Sequence, residues 1–305
     1  MRIIKRLLQV ILLLLIVLAG ALFLFREDIR ADYEAYRKTA VPALMYHSIS
    51  TVPPRWSKDM CIEPGLFRQQ LQYLKDHGYK VITASEARRR LLAGEDVERN
   101  IVLTFDDGYA NNYTVAYPML KEYGFKGTFF AIGKKVGEPG YMTYPQMKEM
   151  HFKGRMEIGS HSMSHDPLDV IEPGYLPWEI YQPMNLFSDE MNFYIHGIAY
   201  PNGAYNDAVI AEIRKYPRFH YAFSGRPGCN TREIVERTPF QLRRVGVYDR
   251  GHGIDDFESL LRKCYIEGYL DSKGFPVDRI QALRDKVDMV RRKLAKEEQL
   301  YGTGK

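Results

Sequence analysis

Residues Ile101–Gly108 read Ile-Val-Leu-Thr-Phe-Asp-Asp-Gly, an apolar run that ends in two adjacent carboxylates and a glycine. The β-branched and aromatic residues of this run predict a strand that is buried on both faces, and both aspartates follow its carboxyl end. In barrels and open α/β sheets, ligands bind at that end of the strands. The stretch therefore predicts an α/β fold with a site at Asp106 and Asp107.

Neighbouring side chains of a strand point to opposite faces, so Asp106 and Asp107 can share a site only if the chain turns there. Gly108 suits such a turn because it has no Cβ. A second segment, His-Ser-Met-Ser-His, begins at His161. On a strand, His161 and His165 would be about 13 Å apart, too far to share an ion through bonds of about 2 Å. They must lie on a turn or a helical segment, just after the strand-like run 157–160.

Two histidines and one carboxylate form the kind of three-ligand set that a catalytic zinc uses while its fourth position holds water. The second aspartate would then be free to act as a base. Alone, an Asp-Asp-Gly turn or a His-x-x-x-His spacing often has only a local structural role. The joint occurrence of both motifs at strand ends favours a metal site with an adjacent base.

At these residues the chain resembles the polysaccharide deacetylases, metal-dependent carbohydrate esterases that remove N-acetyl or O-acetyl groups from glycans. Segments 104–108 and 161–165 are similar to the first two signature motifs, and the similarity covers roughly residues 41 to 250. The resemblance implies one divalent metal ion, with Zn²⁺ expected and Co²⁺, Ni²⁺ or Fe²⁺ as alternatives. It implies Asp106 as the general base and Asp107, His161 and His165 as the metal ligands.

The third family motif usually contains an arginine, prolines, an aromatic residue and glycine, whereas segment 199–205 reads Ala-Tyr-Pro-Asn-Gly-Ala-Tyr. This form is similar to the family branch that acts on poly-β-1,6-N-acetylglucosamine, a biofilm exopolysaccharide. By that resemblance, Tyr200, Pro201 and Asn202 contribute to substrate binding, and a backbone N–H at Asn202 holds the oxyanion. Asn202 stands where an aromatic residue is common.

The same branch resembles a circularly permuted form of the family fold, in which the general acid comes from a strand near the N-terminus. Residues 41–49 match that strand, and His47 is the candidate acid; a histidine that only caps the strand is the alternative. Tyr46 is expected to pack in the wall.

Catalytic aspartates of the family are held by an arginine, and the strand-like segment 242–247 could supply one. Because alternate residues of a strand face opposite sides, only one of Arg243 and Arg244 can face inward. We expect Arg244 to be the orienting residue.

Strand and helix patterns alternate along the rest of the chain, which implies parallel pairing. Together with the resemblance, this predicts a deformed (β/α) barrel of about seven strands over residues 41–275. A helix with one apolar stripe is predicted in residues 276–305, and it either packs against the barrel or pairs between chains. The predicted helices are 64–77, 85–93, 112–123, 144–151 and 207–215, and further predicted strands are 79–83, 127–132, 197–200 and 221–224.

The N-terminal sequence predicts on which side of the cell membrane the catalytic domain lies. In residues 7–25 only Gln9 is clearly polar, and this length is close to the ~20 residues that span a bilayer as a helix. Basic residues in the tail 1–6 predict that the tail is cytoplasmic, that 26–40 is a stalk, and that the catalytic domain lies outside the cytoplasm. Cleavage at Ala19–Ala21 as a signal peptide is the alternative, and it would secrete the domain.

The cysteine spacing limits the possible disulfides and zinc sites, and the charge bears on which partners the chain could bind. Cys61, Cys229 and Cys264 fit no zinc-finger spacing and permit one disulfide, whose pairing the spacing does not assign. The net charge is +5, but no nucleic-acid-binding motif is present. The expected partners are an acetylated glycan, the membrane through the N-terminal helix, and an exopolysaccharide export or synthesis machinery.

The leading functional hypothesis is a metal-dependent hydrolase that removes N-acetyl groups from an extracytoplasmic poly-β-1,6-N-acetylglucosamine and releases acetate. One alternative is the same chemistry on peptidoglycan, chitin oligomers or O-acetylated xylan. Another is an inactive barrel that only binds glycans. The presence of every residue that hydrolysis would need favours an active enzyme.

Overall fold

The computed structural model describes residues 6, 9–13, 16–17, 20, 23–52, 60–249, 251–275 and 277. Its strands are β1 (Val41–Tyr46), β2 (Ser48–Ile49), β3 (Cys61–Ile62), β4 (Lys80–Ile82), β5 (Asn100–Phe105), β6 (Thr128–Ala131), β7 (Glu157–Ser160), β8 (Gly197–Ala199), β9 (Tyr221–Phe223), β10 (Cys229–Asn230) and β11 (Val245–Gly246). Its α-helices are α1 (Arg26–Thr39), α2 (Pro64–Asp76), α3 (Ala84–Ala93), α4 (Tyr117–Tyr123), α5 (Tyr144–Gly154), α6 (Leu176–Met191), α7 (Asp207–Ile213), α8 (Arg232–Arg237) and α9 (Ile254–Ser272).

Parallel pairs join β1, β5, β6, β7, β8 and β9 in that order. The chain then returns to its first strand, because Leu242 pairs with Phe223 and β11 pairs with β1, both in parallel. β4 pairs with the first half of β5, and β10 lies antiparallel to β1. The predicted α/β fold is confirmed: β1, β5, β6, β7, β8, β9 and β11 make up the expected seven parallel strands of a nine-stranded sheet, which β4 and β10 complete.

Alternate residues of the strands belong to two separate clusters of buried side chains, as a two-residue period requires. On β5, Leu103 and Phe105 pack in the larger cluster with apolar residues of the surrounding helices. Val102 packs in the smaller cluster, which includes Phe130 and Phe223 and is extended by residues of α3 and α8. By the same alternation, Thr104 and Asp106 point to the side of this smaller cluster. We call it the inner cluster.

The predicted elements agree with the structure to within a few residues at each end, with one exception. The predicted helix 112–123 starts as a π-helix over Asn112–Ala116 before α4 begins. Helices α1, α6, α8 and α9 were not predicted, and α6 contains an internal proline, Pro183. Its apolar residues recur at helical spacing, but proline normally interrupts a helix and hides that signal.

The chain termini leave two predictions open. Among the described residues, no helix is both long enough and apolar enough to cross a membrane. Residues 7–25 are described only in part, so the membrane anchor stays a prediction. Residues 26–39 of the predicted stalk form α1, whose Tyr33 and Tyr36 rings contact Tyr269 of α9. The predicted helix in 276–305 lies outside the described residues, apart from Val277.

The three cysteines are all buried and free. Cys229 of β10 and Cys264 of α9 lie side by side, with their Sγ atoms 3.4 Å apart. The Cys61 thiol instead contacts Ser50 O at 3.2 Å. The pairing that the cysteine spacing left unassigned thus has one candidate in the folded chain, Cys229 with Cys264.

Candidate active site

The carboxyl ends of neighbouring strands lie level with one another, and the predicted site residues follow them directly. Tyr46 pairs with Phe105, and the N–H of Asp106 donates to Tyr46 O at 2.9 Å. Two strands further along, His161 N–H donates to Ala131 O at 2.8 Å. This register places the ends of β1, β5 and β7 around one cleft.

Asp106 and Arg244 form a buried ion pair inside the barrel. Arg244 Nη1 lies 2.6 Å from Asp106 Oδ1, and the two side chains are only 1% and 2% exposed. The guanidinium also donates to Thr104 Oγ1 at 3.3 Å and to Ser224 O at 3.2 Å. It lies within 6 Å of the ring centroids of Phe130 and Phe223 in the inner cluster. Arg244 is therefore the arginine that contacts the aspartate.

The neighbouring arginine points the other way, as strand alternation requires. Arg243 forms an ion pair with Asp271 of α9, and its backbone exchanges two 2.8 Å hydrogen bonds with the Asn230 amide. From the sequence we expected Arg244, and not Arg243, to face the aspartate. These contacts agree with that expectation.

The chain turns at Asp107. Such a turn is required if two adjacent carboxylates of a strand are to face the same site, because alternate strand residues otherwise face opposite sides. The φ of Asp107 is +69° and that of Gly108 is +76°, both in the left-handed region. A Cβ at Gly108 would lie 3.0 Å from Ala131 Cβ, closer than most Cβ contacts, so close packing also favours glycine there. The turn directs Asp107 to two histidines instead of to Arg244.

Asp107, His161 and His165 offer a ligand set whose donor atoms all lie within 4.8 Å of one another. Asp107 Oδ1 is 3.6 Å from His161 Nε2 and 3.3 Å from His165 Nε2. Two atoms bound to one tetrahedral Zn²⁺ at 2.0–2.1 Å are about 3.3 Å apart. Asp107 Oδ1 is also buried without a hydrogen-bond partner among the described residues. The residues fit a divalent ion.

The tautomer of His161 suits the same role. Its Nδ1 lies 2.8 Å from Ala199 O, and a carbonyl can only accept, so Nδ1 carries the proton and Nε2 keeps its lone pair for a metal. Burial lowers the pKa of His161 below its usual value, which favours the neutral ring. Ser162 and His165 have φ of +61° and +72°, so the two imidazoles converge on a turn rather than a helix.

Electrostatics keeps both aspartates ionised in different ways. Burial opposes the charge on Asp106, but the Arg244 guanidinium and then His161 more than offset it, and its pKa lies below the usual value. Burial likewise opposes the charge on Asp107, and the surrounding histidines hold its pKa below the usual value. One carboxylate is thus paired with an arginine and the other with the candidate metal ligands.

His47 lines the cleft directly beyond β1. Its backbone carbonyl accepts a 2.8 Å hydrogen bond from Asn112 Nδ2, which ties it to the segment after the aspartates. Tyr46 packs in the wall as expected, stacked on Phe105 with its hydroxyl donating to Gln70 Oε1 at 2.9 Å.

The third motif contributes Asn202 and Gly203 to the cleft. Asn202 is exposed, lines the cleft and adopts φ +55°. Tyr200 and Pro201 are buried, and neither belongs to the cleft lining. The hydroxyl of Tyr200 donates to Phe240 O at 2.9 Å, and its ring stacks on Tyr205. The side chains of Tyr200 and Pro201 therefore do not reach the cleft, where a substrate contact was expected of them. They pack beneath the turn at Asn202 instead.

The cleft has a volume of about 670 Å³ and contains side chains that the motifs did not predict. Tyr109 and Tyr141 stack at 5.5 Å on its wall, and Lys135 lines it nearby. Tyr109 directly follows the Asp-Asp-Gly motif and could have been found from that position. Tyr141 is remote in sequence and carries no such signal. Glu179 of the unpredicted α6 contacts the segment between the two histidines.

Comparisons with known proteins point to one family. A family model described as polysaccharide deacetylase matches residues 93–218. The chain is 33% identical over 222 residues to YxkH of Bacillus subtilis, assigned to the polysaccharide deacetylases; the match covers 72% of this chain and 76% of YxkH. It is 25% identical over 207 residues to the poly-β-1,6-N-acetyl-D-glucosamine N-deacetylase of Staphylococcus epidermidis, over 59% of this chain and 71% of that protein. The structure of Streptococcus pyogenes deacetylase PplD in complex with acetate is similar with a TM-score of 0.65 and 29% identity, covering 74% of this chain and 99% of PplD.

Proposed function

The chain belongs to the polysaccharide deacetylase family of hydrolases, and on that premise we propose that it removes N-acetyl groups from poly-β-1,6-N-acetylglucosamine or a closely related polymer, with release of acetate. The proposal rests on the different contacts that two adjacent aspartates make. Asp106 is bound to Arg244, whereas Asp107 joins His161 and His165.

A divalent ion held by Asp107, His161 and His165, with Zn²⁺ as the proposed ion, would supply an acidic water and polarise the acetyl carbonyl. Asp106 Oδ2 lies 3.7 Å from His161 Nε2, next to the ligand set, so it is placed to accept the proton of the attacking water. Arg244 keeps that carboxylate ionised and fixes Oδ1, which leaves Oδ2 to act as the base.

The leaving group is an amine, which departs poorly unless its nitrogen is protonated. His47 lines the same cleft and is our candidate for that proton donor. The backbone N–H at Asn202 is the candidate for holding the oxyanion, a role that does not depend on the side chain. The stacked pair Tyr109 and Tyr141 offers an aromatic wall for a sugar ring.

Two features support the choice of substrate. The third motif has the form found in the branch that acts on poly-β-1,6-N-acetylglucosamine, and the S. epidermidis enzyme named for that substrate is among the relatives. We further propose that residues 7–25 anchor the catalytic domain outside the cytoplasm, where such a polymer would be met.

The test is acetate release by the full chain from poly-β-1,6-N-acetylglucosamine, chitin oligomers, peptidoglycan and O-acetylated xylan, with added Zn²⁺ and after chelation. Metal-dependent release from the first glycan is expected to be the fastest. Two neighbouring substitutions serve as matched controls: Asp106→Asn should abolish turnover and retain metal, whereas Asp107→Asn should lose both. If a glycan binds and none is deacetylated, the chain is a binding barrel and the proposal fails.

A further inference from the structure

The loop between the two candidate metal-binding histidines is held in a strained shape. Ser162 and His165 both have positive φ, a region that side chains with a Cβ rarely adopt. Such conformations persist only where surrounding contacts over-determine them. The directions of the two imidazoles therefore depend on what holds residues 162–164.

The backbone of the neighbouring strand end holds one side of the loop. Gly133 N–H donates to Ser162 O, and Lys134 N–H donates to Met163 O, each at 2.9 Å. Within the loop, His165 N–H donates to Ser162 Oγ at 3.0 Å. These contacts fix the loop carbonyls and leave the N–H groups of residues 163 and 164 to be bound from the other side.

Glu179, in the first turn of α6, binds those N–H groups. Its Oε2 accepts from Met163 N–H at 3.2 Å and from Ser164 N–H at 3.0 Å. The Ser164 hydroxyl lies 2.9 Å from Glu179 Oε1 and 2.6 Å from Asp166 Oδ2, so the two carboxylates share its single proton. The backbone carbonyl of Glu179 accepts from Met163 N–H as well, at 3.1 Å. The Glu179 side chain thus accepts hydrogen bonds from both backbone N–H groups in the middle of the loop.

The carboxylate of Glu179 is a costly group to place here, because it is only 5% exposed and pairs with no cation among the described residues. Burial of an ionised group without a counter-ion is unfavourable unless hydrogen bonds replace water. All the donors that replace water at Glu179 belong to the loop.

We propose that Glu179 is a positioning residue for the metal site: it holds the loop 162–164 so that His161 and His165 point at Asp107. This inference rests on the proposed metal site. Without the carboxylate, Ser164 N–H loses its acceptor and Met163 N–H keeps only the backbone carbonyl of Glu179, so the positive-φ turn can relax toward a conformation in which His165 no longer faces Asp107. Residues that orient metal ligands typically contribute 10- to 100-fold in metal affinity.

The experiment compares Zn²⁺ affinity, measured by competition with a chromophoric chelator, in the full chain and in Glu179→Gln. Glutamine keeps the shape but places an NH₂ group against loop donors, so the dissociation constant should rise about 10- to 100-fold. Excess Zn²⁺ should restore much of the deacetylase activity. Ser164→Ala, which removes one donor and keeps both N–H contacts, should have a smaller effect.

Glu212→Gln is the matched control, because Glu212 is also a buried helical glutamate, 4% exposed, but binds Lys215 and Tyr216 of its own segment. It should leave Zn²⁺ affinity unchanged. If Glu179→Gln does not fold, Glu179→Asp keeps the charge, withdraws the acceptor by one methylene and should weaken Zn²⁺ binding.

Unchanged Zn²⁺ affinity in a folded Glu179 variant, or an equal loss in Glu212→Gln, would overturn the positioning role. Failure of the unsubstituted chain to bind Zn²⁺ would overturn the metal site itself, which is a separate result.

Discussion

Replacement of Arg244 by methionine probes the contact on which the proposed base depends. Arg244 and Asp106 are almost wholly buried and 2.6 Å apart, so methionine leaves an uncompensated carboxylate inside the barrel. Truncation of one partner of a buried pair costs about 3–5 kcal/mol. Part of this cost is the loss of the bonds to Thr104 Oγ1 and Ser224 O, and the rest is the stranded charge.

A double-mutant cycle separates these two parts. Asp106→Asn removes the charge at nearly constant shape, so Arg244→Met should destabilise the Asp106→Asn protein by at least ~2 kcal/mol less than it destabilises the unsubstituted protein. The free energy of unfolding would be measured by urea denaturation with chelator present, so that metal binding does not add to stability. Acetate release by Arg244→Met should be nearly abolished even with excess Zn²⁺.

Arg243 supplies the matched control in the adjacent position. Its ion pair with Asp271 lies nearer the surface, and Arg243→Met should cost about 1–2 kcal/mol and leave deacetylation almost unchanged. A coupling free energy between Arg244 and Asp106 below ~0.5 kcal/mol would refute the argument. Substitutions at sites that do not interact deviate from additivity by up to about that amount.

Four further outcomes are expected. Chelation should stop acetate release, and Zn²⁺ should restore it; release that continues in metal-free protein would contradict the proposed mechanism. His47→Asn should lower turnover by roughly 10²- to 10⁴-fold with metal content unchanged, whereas lost metal would make His47 a ligand. Gly108→Ala should destabilise the chain by ~1 kcal/mol more than Gly124→Ala, since both have positive φ but only Gly108 has Ala131 in the way. Because both thiols are buried, refolding of the reduced chain in a glutathione redox buffer should join Cys229 to Cys264, lowering the mass by two hydrogens and raising stability by roughly 3–4 kcal/mol; both thiols still reactive to alkylation after refolding and renewed unfolding would exclude that pair.

The positions of the chemistry along the chain were predictable because they rest on local rules. The apolar run before Asp106 predicts a buried strand, and the parallel β/α alternation places Asp106, His161 and His47 at the same sheet edge. The requirement for a turn at Asp107 and at the histidine pair follows from strand and helix periods alone. The structure agrees at each of these places, with φ of +69° at Asp107 and +72° at His165.

Other features depend on contacts between segments far apart in sequence. Tyr200 belongs to a recognisable motif, yet its side chain is bound to Phe240 and does not reach the cleft. Helix α6 was missed because Pro183 interrupts its pattern, although the helix carries Glu179 to the loop between the two histidines. Tyr141 reaches Tyr109 through a loop that no motif marks.

Short-range periodicity and motif spacing were enough to predict the class of fold, the family and the residue types of a candidate metal site beside a candidate base. The tertiary structure alone decided which partner each residue has: Asp106 with Arg244 across 138 positions, Asp107 with the histidines, and Glu179 with the loop between them. Closing the parallel sheet upon its first strand brings these segments together, and no local pattern in the chain encodes that closure.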